Sequence, residues 1–239
     1  MKVDFNNCLV IDIETVGGVS SYDQLSERLQ KLWEYKCTFF RDADQKTPAE
    51  LFAERAGIFA EFGKIVTIAA GFVWYNQERE LSLKVKAFSG HDEASILNEF
   101  NQMIDKSFEQ PKLTFCAHNG KEFDYPYIAR RMLVNGINLP QCLQFHDNKP
   151  WEIKHIDTMD LWKFGDRKSF TSLDLLAAIF EIDSSKGDMD GSMVNNAYYL
   201  EDGLERIAEY CKADVVVTTQ LFLRLNSLPA IKEENIEIV

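Results

Sequence analysis

The run Cys8-Leu9-Val10-Ile11-Asp12-Ile13 is almost wholly apolar, and the carboxylates of Asp12 and Glu14 break into its end. An apolar run of this length reads as a strand covered on both faces, the kind found inside an α/β sheet. Side chains alternate across a strand, so Asp12 and Glu14 point to the same side. Two close carboxylates repel each other and are costly to bury unless a cation neutralises them. Hard divalent cations take oxygen ligands, which makes Mg²⁺ or Mn²⁺ the fitting partner. Taken alone, the pair equally suits the plain exposed end of a strand.

Residues 21–62 read as a helical insertion, with Leu25, Leu29, Leu32 and Trp33 at helical spacing. Thr47-Pro48-Ala49-Glu50 combines a capping box with proline at the first helical position, predicting a helix to about residue 62. Strands are expected over 65–75 and 81–88, joined by the hairpin-like Asn76-Gln77-Glu78-Arg79. A helix over 91–105, a short strand over 112–117 and a helix over 124–135 closed by Gly136 follow. A weaker strand over 152–156, a helix over 172–180, a polar loop over 184–192 and a long helix over 203–226 complete the chain. No repeat or Pro/Gly/Ser-rich linker divides it, so residues 1–239 read as one domain. The pattern predicts an α/β fold, a central mixed five-stranded sheet with helices on both faces. Such sheets hold ligands at the carboxyl ends of their parallel strands.

Two further acids stand where chemistry is possible. Asp124, in Asn119-Gly120-Lys121-Glu122-Phe123-Asp124, follows a strand across a turn and opens a helix, a position Asp also takes for structural reasons. Tyr210 and Asp214 lie four apart in the last helix and share a face. Ile207, Cys211, Val217 and Leu221 lie near that face, so Asp214 needs a partner on a packed surface, or is simply a satisfied helix acid.

Together, Asp-x-Glu in the first strand, Asn-x4-Asp after a middle strand and Tyr-x3-Asp in the last helix resemble the DEDD (DnaQ-like) superfamily of 3′→5′ exonucleases. These have the ribonuclease H-like fold, and the tyrosine marks the DEDDy branch. The histidine branch would place His at position 209, where this chain has Glu209, and Tyr210 takes the tyrosine position. The finer resemblance is to bacterial stand-alone exonucleases related to the proofreading domain of family B DNA polymerases. It is carried by Glu61-Phe62-Gly63-Lys64-Ile65-Val66, Ser172-Leu173-Asp174-Leu175-Leu176 and Lys186-Gly187-Asp188-Met189-Asp190-Gly191-Ser192.

The resemblance implies that Asp12, Glu14, Asp124 and Asp214 bind two divalent ions, Mg²⁺ or Mn²⁺, with Asp12 bridging them. It implies that Tyr210 orients the attacking water, and that nucleoside 5′-monophosphates leave stepwise from the 3′ end of single-stranded DNA. Thr15, Val16 and Asn119 are the implied contacts to the last nucleotide, and Lys186 is a candidate phosphate contact. An exoribonuclease of the same superfamily is the near alternative, since the motifs do not read the 2′-OH. A non-catalytic nucleic-acid or protein-binding module on this fold is the alternative of another class. An aspartyl-nucleophile phosphohydrolase would leave Tyr210-x3-Asp214 unexplained.

Charge qualifies the partner. The 239 residues carry 38 acids and 26 bases, a net −12, which argues against gripping nucleic acid by bulk charge. It suits an enzyme that takes one strand by its end, with metal ions supplying the local positive field. Five scattered cysteines without a CxxC pair make neither a disulfide framework nor a zinc site. The sequence shows no signal peptide and no apolar run long enough to span a bilayer, so a cytoplasmic protein is expected. A polymerase or repair protein would be a partner in trans.

Overall fold

The computed structural model describes residues 4–42, 44–166, 170–183 and 189–239. The apolar run becomes strand β1, Cys8–Gly17, at the centre of the sheet. It pairs antiparallel with β2 (Gly63–Tyr75), which pairs antiparallel with β3 (Leu81–Ser89). On its other side β1 runs parallel to β4 (Thr114–Ala117), which runs parallel to the two-residue β5 (Ile156–Asp157). A last strand, β6 (Ile236–Ile238), runs parallel to β3 and completes the order β5-β4-β1-β2-β3-β6. The sheet thus has six strands among the described residues, one more than expected.

The alternation within β1 divides the core. Leu9, Ile11 and Ile13 face one side and pack with Ile96, Phe100, Ile128 and Met132 of α3 (Glu93–Ser107) and α4 (Asp124–Val134). Cys8 and Val10 face the other side with Cys211, Val215 and Phe222 of α8 (Leu204–Leu225). Asp12 and Glu14 continue that second row. The strand runs on to Gly17, so the acid pair sits within it rather than at its end, next to a register irregularity between Glu14 and Thr15.

The insertion folds as α1 (Glu27–Cys37) and α2 (Pro48–Arg55) around Trp33. The expected capping box forms: Glu50 N–H donates to the Thr47 hydroxyl, and the Glu50 carboxylate accepts from Thr47 N–H. The helix stops at Arg55 and not near residue 62. A 3₁₀ turn, Ala56–Ile58, follows, and Gly57 lies against the backbone of Thr15 and Val16, where a Cβ would stand 3.1 Å from Thr15 O. Two short helices were not expected: α5 (Thr158–Lys163) and α7 (Val194–Leu200), with α6 (Leu173–Ile179) between them. The 203–226 helix is α8, capped at both ends within a residue of expectation.

Candidate active site

Asp12 and Glu14 from β1 meet Asp214 from α8, each offering a carboxylate oxygen within 4.8 Å of the others. The strand row that carries Val10 onto Val215 also carries Asp12 and Glu14 to the next turn of the helix. Burial pushes the Asp12 and Glu14 carboxyls well above the usual range, and Asp214 is the charged neighbour that adds most to both. Cys211, one turn before Asp214, gives its thiol proton to Asp12 Oδ2 at 3.2 Å. Three acids held this close are unstable alone and suited to a divalent cation, which hard oxygen donors prefer.

Asp124 opens α4 and is buried at 3% exposure. Its carboxyl is raised to about 7, first by burial and then by Asp157, while hydrogen bonds from its own N–H and that of Ile13 oppose the rise. Asp214 adds to the rise, and Asp124 in turn raises Glu14 and Asp12. The turn before it is held by Asp157, buried at the end of β5. The Asp157 carboxylate accepts from Asn119 N at 3.0 Å, Lys121 N at 3.1 Å and Met159 N at 2.9 Å. Asn119 takes the left-handed conformation, φ 62°, that Asn tolerates. Its side-chain oxygen is buried and, among the described residues, has no hydrogen-bond partner. Gly120 is required here, since a Cβ would stand 2.5 Å from Ala117 Cβ and 2.7 Å from the Tyr125 ring.

Tyr210 lies half-buried one turn before Asp214 and hydrogen-bonds its carboxylate. Its phenol is pushed up by burial, then by Asp214, Glu14 and Asp12, so it stays protonated at neutral pH. The phenol proton goes to the Asp214 carboxylate.

Two cavities flank the acids and share Gly191. One, about 250 Å³, is lined by Glu14, Thr15, Gly57, Ile58, Phe123 and Asn195 among others. The other, about 310 Å³, is lined by Tyr210, Asp214, Asp174 and Asp190 with Ser172 and Leu173. Thr15 donates its hydroxyl to Gly57 O at 2.8 Å. The Val16 side chain is fully buried, among Val66, Met189, Val194, Ala197 and Ile207. Lys186, with Arg167 and Lys168, lies outside the described residues. Of the other cations near the motifs, Arg131 is locked to Glu93 at 2.6 Å, and Lys121 and Lys163 pair with Asp160.

Both inner histidines serve the scaffold. His155 accepts from Phe115 N and donates to Cys142 O, and burial lowers it to about 4. His118 bridges Thr158 Oγ1 and Thr171 O. Sequence reasoning missed Asp157, Cys211 and Asn195 as parts of this centre. Asp157 had a signal, an acid between a strand and a helix start. Asn195, whose oxygen accepts from Gly17 N at 3.0 Å across 178 positions, had none.

Over 230 residues the chain is 24% identical to the catalytic subunit of DNA polymerase epsilon from Aspergillus fumigatus, covering 89% of this chain and 10% of the relative. The family B DNA polymerase of the archaeon Pyrobaculum calidifontis shares the fold, with TM-score 0.51 and 13% identity, over 91% of this chain and 24% of that one. The chain thus spans about a tenth and a quarter of these two proteins. Among the described residues no helix is long and apolar enough to cross a membrane. Residues 58–236, which include Asn119, Asp124, Tyr210 and Asp214, match the family described as predicted 3′-5′ exonucleases related to the exonuclease domain of PolB, and the chain belongs to that family.

Proposed function

We propose that the chain is a metal-dependent 3′→5′ exonuclease that removes nucleotides stepwise from single-stranded DNA and releases nucleoside 5′-monophosphates. The observation that carries the reading is the meeting of Asp12, Glu14 and Asp214 within 4.8 Å, with Tyr210 hydrogen-bonded to Asp214 and Asp124 raised by it. The donor set fits hard cations: carboxylates only, with Asp12, Glu14 and Asp124 pushed up first by burial and then by neighbouring acids. Asp12, Glu14, Asp124 and Asp214 would hold two divalent ions, Mg²⁺ or Mn²⁺. Such ions supply a water-activating and charge-neutralising field for phosphodiester hydrolysis.

The chain's own residues do the rest. Tyr210, its phenol proton given to Asp214, accepts from the water and fixes its direction. Cys211 holds the Asp12 carboxylate in one orientation. Asn119 offers its partnerless oxygen to the terminal nucleotide. The cavity beside Glu14, walled by Thr15, Ile58 and Phe123, seats that nucleotide's sugar and base. The activity resides in one unit over residues 1–239, with the insertion as cover.

Incubating the protein and Mn²⁺ with 5′-labelled single-stranded DNA and RNA of equal sequence tests the substrate class. A descending ladder on DNA with 5′-monophosphate products is expected. A ladder on RNA alone would assign the chain to the exoribonucleases, and products bearing 3′-phosphates would exclude the reaction proposed.

A further inference from the structure

Lys64 lies near the start of β2 and stands opposite Val16 in the β1–β2 ladder, two residues past Glu14. In a chain of net charge −12, its ammonium donates to a phenol, Tyr198 Oη, at 3.0 Å, and among the described residues it pairs with no carboxylate. It also stands over the rings of Tyr198 and Tyr199, 4.8 and 5.9 Å from their centroids. The exposed His91, between β3 and α3, places Nδ1 2.9 Å from the same Tyr198 hydroxyl. These contacts join three separate elements at one point of the surface.

Donors dominate this cluster. With Lys64 donating to Tyr198 Oη, the hydroxyl has its own proton to give to His91 Nδ1. In that tautomer the imidazole carries its proton on Nε2, and the ammonium keeps two further N–H groups. The cluster therefore presents donors, one of them charged, and suits an anion. Its place in the fold says which anion. Tyr199 donates to Gly17 O, and Asn195 on the same short helix both accepts from Gly17 N and lines the cavity beside Glu14. Two residues of strand separate Glu14 from the level of Lys64, roughly 7 Å.

We propose that Lys64, Tyr198 and His91 form a second binding site for the single strand, holding a backbone phosphate upstream of the nucleotide being removed. The identity of the ligand rests on the exonuclease reading; the donor cluster does not. Phosphate contacts of this kind fix register without reading sequence.

Fluorescence anisotropy with 5′-fluorescein oligothymidylate about 12 nucleotides long, in Ca²⁺ and over a NaCl series, tests the proposal. Lys64→Met is expected to raise Kd about 3–10-fold and to flatten the plot of log K against log salt by about 0.7, the contribution of one phosphate on a single strand. Lys64→Arg should retain most of the affinity, and His91→Ala, on an exposed side chain, should weaken binding with the melting temperature unchanged. Wild-type affinity and slope in Lys64→Met and His91→Ala would overturn the proposal. Loss of competition by 5′-dTMP with unchanged oligonucleotide affinity would overturn it too, and give the site to a free nucleotide. Digestion of the same oligonucleotide by the wild type with Mn²⁺ is read separately. Lys64-dependent binding without digestion removes the exonuclease reading and leaves the site; digestion without Lys64 dependence does the reverse.

Discussion

Asp124 sets a side chain's cost to the fold against the chemistry proposed for it. Its carboxyl is raised to about 7, so the folded chain holds a proton there that the unfolded chain releases near 4. Between those values the folded state binds more protons, and stability from this group falls as pH rises. Asp12 and Glu14 shift in the same direction. A cation that pairs with the ionised acids reverses the trend. The stabilisation given by a fixed concentration of Mn²⁺ should therefore grow from pH 5 to pH 8, reaching about 3 kcal/mol where that concentration is a hundredfold above Kd. Calorimetry at several pH values measures this, and a gain independent of pH would contradict it. Tyr210→Phe removes the hydroxyl while keeping the ring, and kcat should fall about 10²-fold with little change in KM. At this scale the sequence was most legible: acid pairs at spacing two, and a tyrosine and an acid at spacing four, announce themselves by type. Cys211 did not, because it acts on a partner far away in the chain, Asp12, and Asp157 showed only its place before a helix, not its hold on Asn119.

Elements position these residues. The β4–α4 turn presents Asp124 because Gly120 has no side chain and Asp157 ties the turn to β5. Gly120→Ala should lower stability by about 1–3 kcal/mol through overpacking against Ala117 and Tyr125. Activity should fall more than stability explains, as seen by comparing kcat with the folded fraction. The insertion depends on Trp33, fully buried among the rings of Phe40, Phe52, Phe59 and Phe62, its indole N–H donating to Pro48 O at 2.8 Å. Trp33→Ala should cost about 3–5 kcal/mol by urea denaturation. The start of α2 and both ends of α8 were legible to within a residue, and the ends of α3 to within two. The end of α2 was not, since Gly57 stops it by packing on Thr15 and Val16, a tertiary contact. β5 and β6 are too short to carry a period, and β6 exists because Ile236–Ile238 finds the open edge of β3.

At the scale of the molecule, the mixed sheet places β1 centrally, where one face receives α3 and α4 and the other receives α8. That arrangement explains why acids distant in sequence gather at one place. The net charge of −12 then limits how the substrate is held. Affinity for a single strand should depend more on divalent metal than on salt, with the Lys64 cluster contributing about one phosphate's worth of salt dependence. A slope of several phosphates, measured by anisotropy with metal present, would mean a basic groove that the fold does not display among its described residues. The central claim is that the four carboxylates perform metal-dependent removal of nucleotides from a 3′ end. Digestion of a 5′-labelled single-stranded oligonucleotide by the wild type and by Asp124→Asn, with Mn²⁺ and then with a chelator, tests it most directly. The account predicts a ladder from the wild type with metal, none with chelator, and a rate at least about 10²–10³-fold lower for Asp124→Asn; a ladder of wild-type rate from Asp124→Asn, or one that survives the chelator, would contradict it.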